Sequence, residues 1–283
     1  MNAIKTVMLL GLLSGLLVVG GGMIAGRSGM TIGLLLAVGM NFFSYFFSEK
    51  IALSMYQAQP VTPQENAHIY ARVYPLVQNL THKMELPMPR LWVIPDDSPN
   101  AFATGRNPSH SSVAFTEGIL GLMNDRELEG VLAHELGHVL HRDILISSIA
   151  ATIGAAITQL AWMAMWFGGR RDDEDKGGGV VGSLLMMLLA PLAATMIQMA
   201  ISRTREFSAD AAAAKYTGSP DGLIGALGKL ERGVAKVPMD ATPATAHMFI
   251  VRPFAGAGLS KLFSTHPPTE ERIAHLESLR GAY

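Results

Sequence analysis

Two histidines four residues apart, with a glutamate directly after the first, are the residues of this chain best suited to chemistry. They are His134, Glu135 and His138, in V-L-A-H-E-L-G-H-V-L-H at 131–141. On a helix, positions four apart differ by only about 40° in direction, so both imidazoles reach one zinc ion. Glu135 projects beside them, where it can take a proton from an attacking water and later deliver it to a departing amine. A polar helical face is the plain alternative. It does not explain why the two histidines lie among Val131, Leu132, Leu136, Val139 and Leu140, where uncoordinated imidazoles are costly to bury. The pattern predicts a zinc-dependent peptidase.

Catalytic zinc needs a third protein ligand and an open position. The chain has no cysteine, so the ligand must be His, Asp or Glu. His141 would lie about 10.5 Å along the axis from His134, too far to share the ion, which leaves it an orienting or interfacial role. The three-histidine variant of the motif fails because Leu145 stands where its last ligand would fall. Glu117, Glu127 and Glu129 precede the motif on its own helix or on the approach to it. Glu206, in S-R-T-R-E-F-S-A-D, is better placed. His138 lies as many residues before Phe167, the end of one apolar run, as Glu206 lies after Gly177, just before the next. Two antiparallel helices of equal rise would therefore bring Glu206 level with His138. Asp210, one turn further along, can accept the free ring N–H of a liganding histidine.

The elements that must position these groups include long apolar runs. Hydrophobic residues make up 49% of the chain and charged residues 16%, and the apolar content is concentrated, as in a membrane protein. Thr6 to Gly26, Met30 to Phe47, Ile144 to Phe167 and Val180 to Ile201 can each cross a bilayer. A cleaved signal peptide is the alternative for the first, and a buried hairpin for the last two. The all-apolar stretch Leu184 to Ala190 opposes the latter, since a surface helix would show a polar stripe. Lys5, Lys50, Arg72, Arg142, Arg203 and Arg205 would share one side, leaving Arg27, Arg170, Arg171 and Lys176 on the other. That bias puts both termini and the polar domain in the cytoplasm. A net charge of −1 with no long basic block disfavours nucleic acid.

The expected division is therefore two spans at 1–48, the first part of a catalytic domain at 49–143, a membrane hairpin at 144–201 and the second part of the domain at 202–283. Ala67 to Met84 reads as a helix, and Arg90 to Ile94 and Ser111 to Phe115 as short strands around a turn-rich stretch from Pro95 to His110. Asn124 should cap the zinc-binding helix, with Glu127 returning the bond.

The H-E-L-G-H helix leading into a membrane hairpin, the returning R-E-F-S-A-D, the earlier P-N-A-F-A-T-G and the late S-T-H-P-P-T-E-E-R together resemble the HtpX family of bacterial membrane zinc metalloproteases. The similarity spans nearly the whole chain, and the prenyl-protein endopeptidases are more distant relatives. The resemblance implies a mainly α membrane protein in which four transmembrane helices carry a cytosolic α+β, zincin-like (gluzincin) domain with a small β-sheet. It implies cytoplasm-facing cleavage of misfolded or damaged polypeptides at the bacterial inner membrane, within quality control and envelope stress response. His134, His138 and Glu206 match its zinc ligands for one ion per chain, and Glu135 its general base. His266 matches a histidine that helps stabilise the oxyanion, with Arg272 in the same motif; an oxyanion donor opposite the metal is chemically apt. Asn100, Ala101, Phe102, Ala103 and Thr104 can form an extended edge that binds substrate backbone by strand addition, or an ordinary loop.

Two other readings remain at this level. In one, the zinc lies inside the bilayer, but no later Asp falls within an apolar run to complete such a site. In the other, a membrane scaffold uses zinc structurally, which ordinarily takes four protein ligands.

Overall fold

The computed structural model describes residues 2–146, 149, 203–236, 250 and 267–283. Nearly all of the third apolar run, the whole fourth run and His266 lie outside them.

The first helix, α1 (Asn2–Met55), does not run straight. Asn41 Nδ2 donates to Ser14 Oγ at 2.9 Å across 27 residues, a span of about 40 Å in an unbroken helix. The chain must turn back, and it does so at Gly26, whose φ of +56° suits a residue without Cβ. Beyond the reversal the two arms meet closely. A Cβ on Gly33 would fall 2.2 Å from the Leu17 carbonyl oxygen. Gly29, Gly33 and Ala37, all buried and four residues apart, form the small-residue face that permits this approach. Opposite that face, Leu34, Leu35, Val38, Phe42 and Phe43 are each half or more exposed. Such an apolar surface suits lipid rather than water, and the fold is membrane-associated. Among the described residues no single helix is long and apolar enough to cross a membrane. Gly26–Phe43 and Tyr45–Met55 meet that test only as a pair bent by 65°.

A four-stranded mixed sheet follows, made of β1 (Gln59–Pro60), β2 (Arg90–Ile94), β3 (Ala101–Asn107) and β4 (His110–Thr116) in the order β1-β2-β4-β3. β2 runs parallel to β4, with Leu91 opposite Val113, while β3 is antiparallel to β4, with Ala101 opposite Phe115. The turn-rich stretch expected from Pro95 to His110 thus contains a strand, and that strand is the sheet's edge. Period-two alternation gives the sheet two different faces. Leu91, Val93, Ala101, Ala103, Val113 and Phe115 enter the main core, whereas Phe102, Ala114 and Ile94 pack with Ala52 and Leu53 of α1. Polar bonds reinforce the second contact: Glu49 of α1 accepts from Ser112 Oγ at 2.6 Å and pairs with Arg90.

On the main-core face lie α2 (Ala67–Lys83), α3 (Glu117–Leu122), α4 (Asp125–Leu140), α5 (Arg203–Thr217), α6 (Asp221–Lys236) and α7 (Thr269–Ser278). The described chain is mostly helical. α4 is central, with Leu128, Val131, Leu132, Leu136 and Val139 fully buried; each such side chain contributes about 1.5–3 kcal/mol. α2 and β2 match the expected bounds to within a residue. β4 extends one residue beyond the expected strand at each end.

Candidate metal centre

The sequence around the site builds a helix with defined ends. Asn124 Oδ1 accepts from Glu127 N and Glu127 Oε2 accepts from Asn124 N, both at 2.9 Å, which closes the expected capping box. At the other end α4 stops at Leu140. Arg142 adopts φ +58°, Asp143 N donates to His138 O at 2.9 Å and Arg142 N donates to Val139 O at 3.1 Å, the paired bonds of a Schellman termination. A non-glycine residue in this conformation costs about 1–2 kcal/mol. His141 is carried off the helical face and is exposed.

Helices α4 and α5 approach until Gly137 faces Ala209; a Cβ on Gly137 would fall 3.1 Å from Ala209 Cα. This close approach brings Glu206 up to both histidines. Its Oε2 lies 3.7 Å from His134 Nε2 and its Oε1 lies 3.6 Å from His138 Nε2. One ligand atom from each of the three residues falls within 4.8 Å of the others. The nitrogen–oxygen separations are too long for hydrogen bonds. They approach the edge of a tetrahedron built on bonds of about 2.0–2.1 Å, roughly 3.4 Å. Each imidazole turns its other nitrogen to a carboxylate: His134 Nδ1 lies 2.9 Å from Asp210 Oδ1, and His138 Nδ1 lies 3.4 Å from Asp143 Oδ2.

Arg272 of α7 grips Asp210 with two bonds, Nε to Oδ2 at 2.9 Å and a terminal nitrogen to Oδ1 at 2.6 Å, and donates to Ile250 O at 2.9 Å. Its remaining approach is equally close to both nitrogens of His134, 3.3 Å each, a packing contact with the ring rather than a directed hydrogen bond. Glu135 Oε2 accepts from Ala103 N at 2.8 Å, so the carboxylate is tied to the edge strand β3.

Charge tests whether a divalent cation fits. Glu135, Asp143, Glu206 and Asp210 are buried carboxylates, faced by the guanidiniums of Arg205 and Arg272. Among the described residues the excess of two negative charges is what one zinc ion would offset. Without it the site holds on to protons. Burial pushes the Glu135 carboxyl up, as does Glu206, against the lowering effect of the two histidines. Burial alone would lower the His138 imidazole, but the Asp143 bond and the charges of Glu206 and Glu135 outweigh it and lift it to about 9. Asp210 goes the other way. Burial opposes its ionisation, and Arg272 and His134 overcome this to hold it at about 2. The donor set and the charge both fit zinc.

Residues 63–280 match Peptidase family M48. The chain belongs to that family. Within it, the chain is 54% identical over 285 residues to a protein named Protease HtpX homolog from Desulfatibacillum aliphaticivorans, covering 99% of this chain and 90% of that one. It is also 54% identical to the protein of the same name from Thermodesulfovibrio yellowstonii, over the full length of both. The crystal structure of S. mikatae Ste24p shares the fold, with a TM-score of 0.53 at 20% identity, over 98% of this chain and 65% of that one. Membership of M48 and the His-His-Glu cluster make this chain a zinc-dependent endopeptidase.

The M48 fold gathers His134, Glu135, His138, Glu206, Asp210 and Arg272 at one place. It puts Arg272 on Asp210 and against His134. Ala101 to Thr104 lie in the edge strand β3, with Asn100 just before it, yet their side chains are buried. Phe102 packs against α1, and Asn100 Oδ1 accepts from Ile250 N at 3.3 Å; the main chain of Ala103 reaches the centre through Glu135. Sequence reasoning missed Asp143, Arg205 and Gly137. The fixed spacing of Asp143 after His138 carries information only once α4 is known to stop between them.

Proposed function

We propose that this chain hydrolyses peptide bonds of misfolded or damaged membrane proteins and other unfolded polypeptides, as a four-span protein of the bacterial inner membrane whose zincin-like catalytic domain faces the cytoplasm. In this reading 1–48 and 144–201 form membrane hairpins, and 49–143 and 202–283 join into one catalytic domain. The exposed apolar face of α1 and the HtpX relatives support the membrane setting.

The observation that carries the chemistry is Glu135, buried beside the His-His-Glu cluster and held by Ala103 N at 2.8 Å. His134, His138 and Glu206 would hold the zinc ion, which would supply Lewis acidity toward the scissile carbonyl and water. Glu135, with its carboxyl pushed up from the usual carboxylate range by burial, takes the proton of the attacking water and returns it to the leaving amine. Asp210 and Arg272 hold the His134 ring, and the outward edge of β3 aligns substrate backbone at Asn100 to Thr104. His266 serves as the oxyanion donor. The test is Glu135→Gln in detergent-purified protein. It should keep zinc while cleavage of an unfolded test protein falls by at least about 100-fold; cutting at the wild-type rate would remove Glu135 as the base.

A further inference from the structure

The carboxylate facing each histidine comes from a different place, and only one of the two is on α5. Asp143 sits three residues beyond the end of α4, at the point where the apolar run from Ile144 begins. The αL turn at Arg142 folds the chain back so that Asp143 N donates to His138 O at 2.9 Å while Asp143 Oδ2 stands 3.4 Å from His138 Nδ1. One residue thus holds both the main chain and the ring of the same histidine. Its second oxygen lies 3.7 Å from Nε of Arg205, beside Glu206. Asp143 is 2% exposed, so water contributes little to holding it. The two residues bracket the long apolar segment in sequence, one just before it and one just after.

We propose that Asp143 and Arg205 are a positioning pair for the metal centre, which clasps the two ends of the 144–202 segment and holds His138 with Nε2 free to ligate. This rests on the zinc peptidase reading and deepens it. An Nδ1–H donated to Asp143 leaves the Nε2 lone pair aimed toward Glu206 Oε1, 3.6 Å away. The arrangement parallels what Asp210 and Arg272 do for His134, in which a carboxylate fixes the ring and an arginine faces the carboxylate, although Arg205 meets Asp143 as a half-buried ion pair at 3.7 Å where Arg272 makes two hydrogen bonds. Arg205 acts through Asp143 and touches no reacting atom.

The experiment measures zinc affinity by chelator competition on full-length protein in detergent, for wild type, Asp143→Asn, Asp143→Ala, Arg205→Gln and the double variant Asp143→Asn/Arg205→Gln. Asp143→Ala should weaken zinc binding by about 10–100-fold. Asp143→Asn, whose amide oxygen still accepts from Nδ1–H, should lose less. Arg205→Gln should show a smaller loss that nearly disappears in the Asp143→Asn background, because two residues acting in one chain are not additive. Cleavage by Asp143→Asn at saturating zinc should recover toward wild type, which a merely misfolded protein would not do. Unchanged zinc affinity in both Asp143 variants, or full additivity with Arg205→Gln, would overturn the pair. Failure of wild type itself to bind zinc would instead overturn the peptidase reading.

Discussion

At His138 a metal and a proton compete for one nitrogen. In the metal-free protein the Asp143 bond and the surrounding carboxylates keep the ring protonated up to about 9, and zinc accepts only the neutral ring. Below that value binding must expel the proton, so apparent zinc affinity should rise about tenfold per pH unit as pH increases toward 9, then level off. Chelator competition from about pH 7 to about pH 10 checks this, and a flat profile would contradict it. The same sign governs the metal-free fold. His138 contributes stability that is complete below its ordinary value of 6.5 and is lost as pH rises through about 9. At this scale the sequence showed the ligands because residue type and helical spacing are local. His134, Glu135 and His138 share one helix, and Glu206 and Asp210 share another. It did not show what the arginines do. The grip of Arg272 on Asp210 joins residues 62 positions apart, and the contact of Asp143 with His138 depends on a left-handed turn at a residue, Arg142, whose side chain gives no warning of it.

Between the helices, Gly137 sets the spacing of α4 and α5. An added methyl would stand 3.1 Å from Ala209 Cα and 3.3 Å from its Cβ, so the helices must separate by a few tenths of an ångström, moving His138 away from Glu206. Gly137→Ala gains about 1 kcal/mol in helix propensity, which partly hides the strain; Gly137→Val has no such relief. The Val variant should be destabilised by about 1–3 kcal/mol through overpacking and should bind zinc more weakly, as thermal melts with and without metal would measure. Wild-type zinc affinity in that variant would show that the helix spacing is set elsewhere. Element patterns were legible where periodicity is strong: α2, β2, β4 and the cap of α4 follow from apolar spacing and from Asn124 with Glu127. The strand β3 stayed open between an extended edge and a loop because Ala-Phe-Ala-Thr-Gly has few strand-favouring residues and lies between Pro99 and Pro108. Its pairing with β4 and its bond to Glu135 are tertiary decisions that outweigh weak local preference.

Over the whole molecule, the metal centre is assembled from pieces far apart in sequence. α4 precedes the 144–202 segment, α5 and α7 follow it, and α1 grips the opposite face of the sheet through Glu49, Ser112 and Phe102. The reversal of α1 near Gly26 could be read from the short break at Arg27 and Ser28 between the first two apolar runs. The bend between Phe43 and Tyr45 could not, since no proline or glycine marks it. A centre built this way should lose its metal when any contributing piece is altered, even one distant in the chain from H-E-L-G-H. The most direct measurement is the zinc content of detergent-purified protein for wild type and Glu206→Ala. One zinc per wild-type chain and little in the variant are expected, although His134 and His138 are intact in both. Equal zinc in the two proteins would contradict a centre completed by Glu206 from beyond the 144–202 segment.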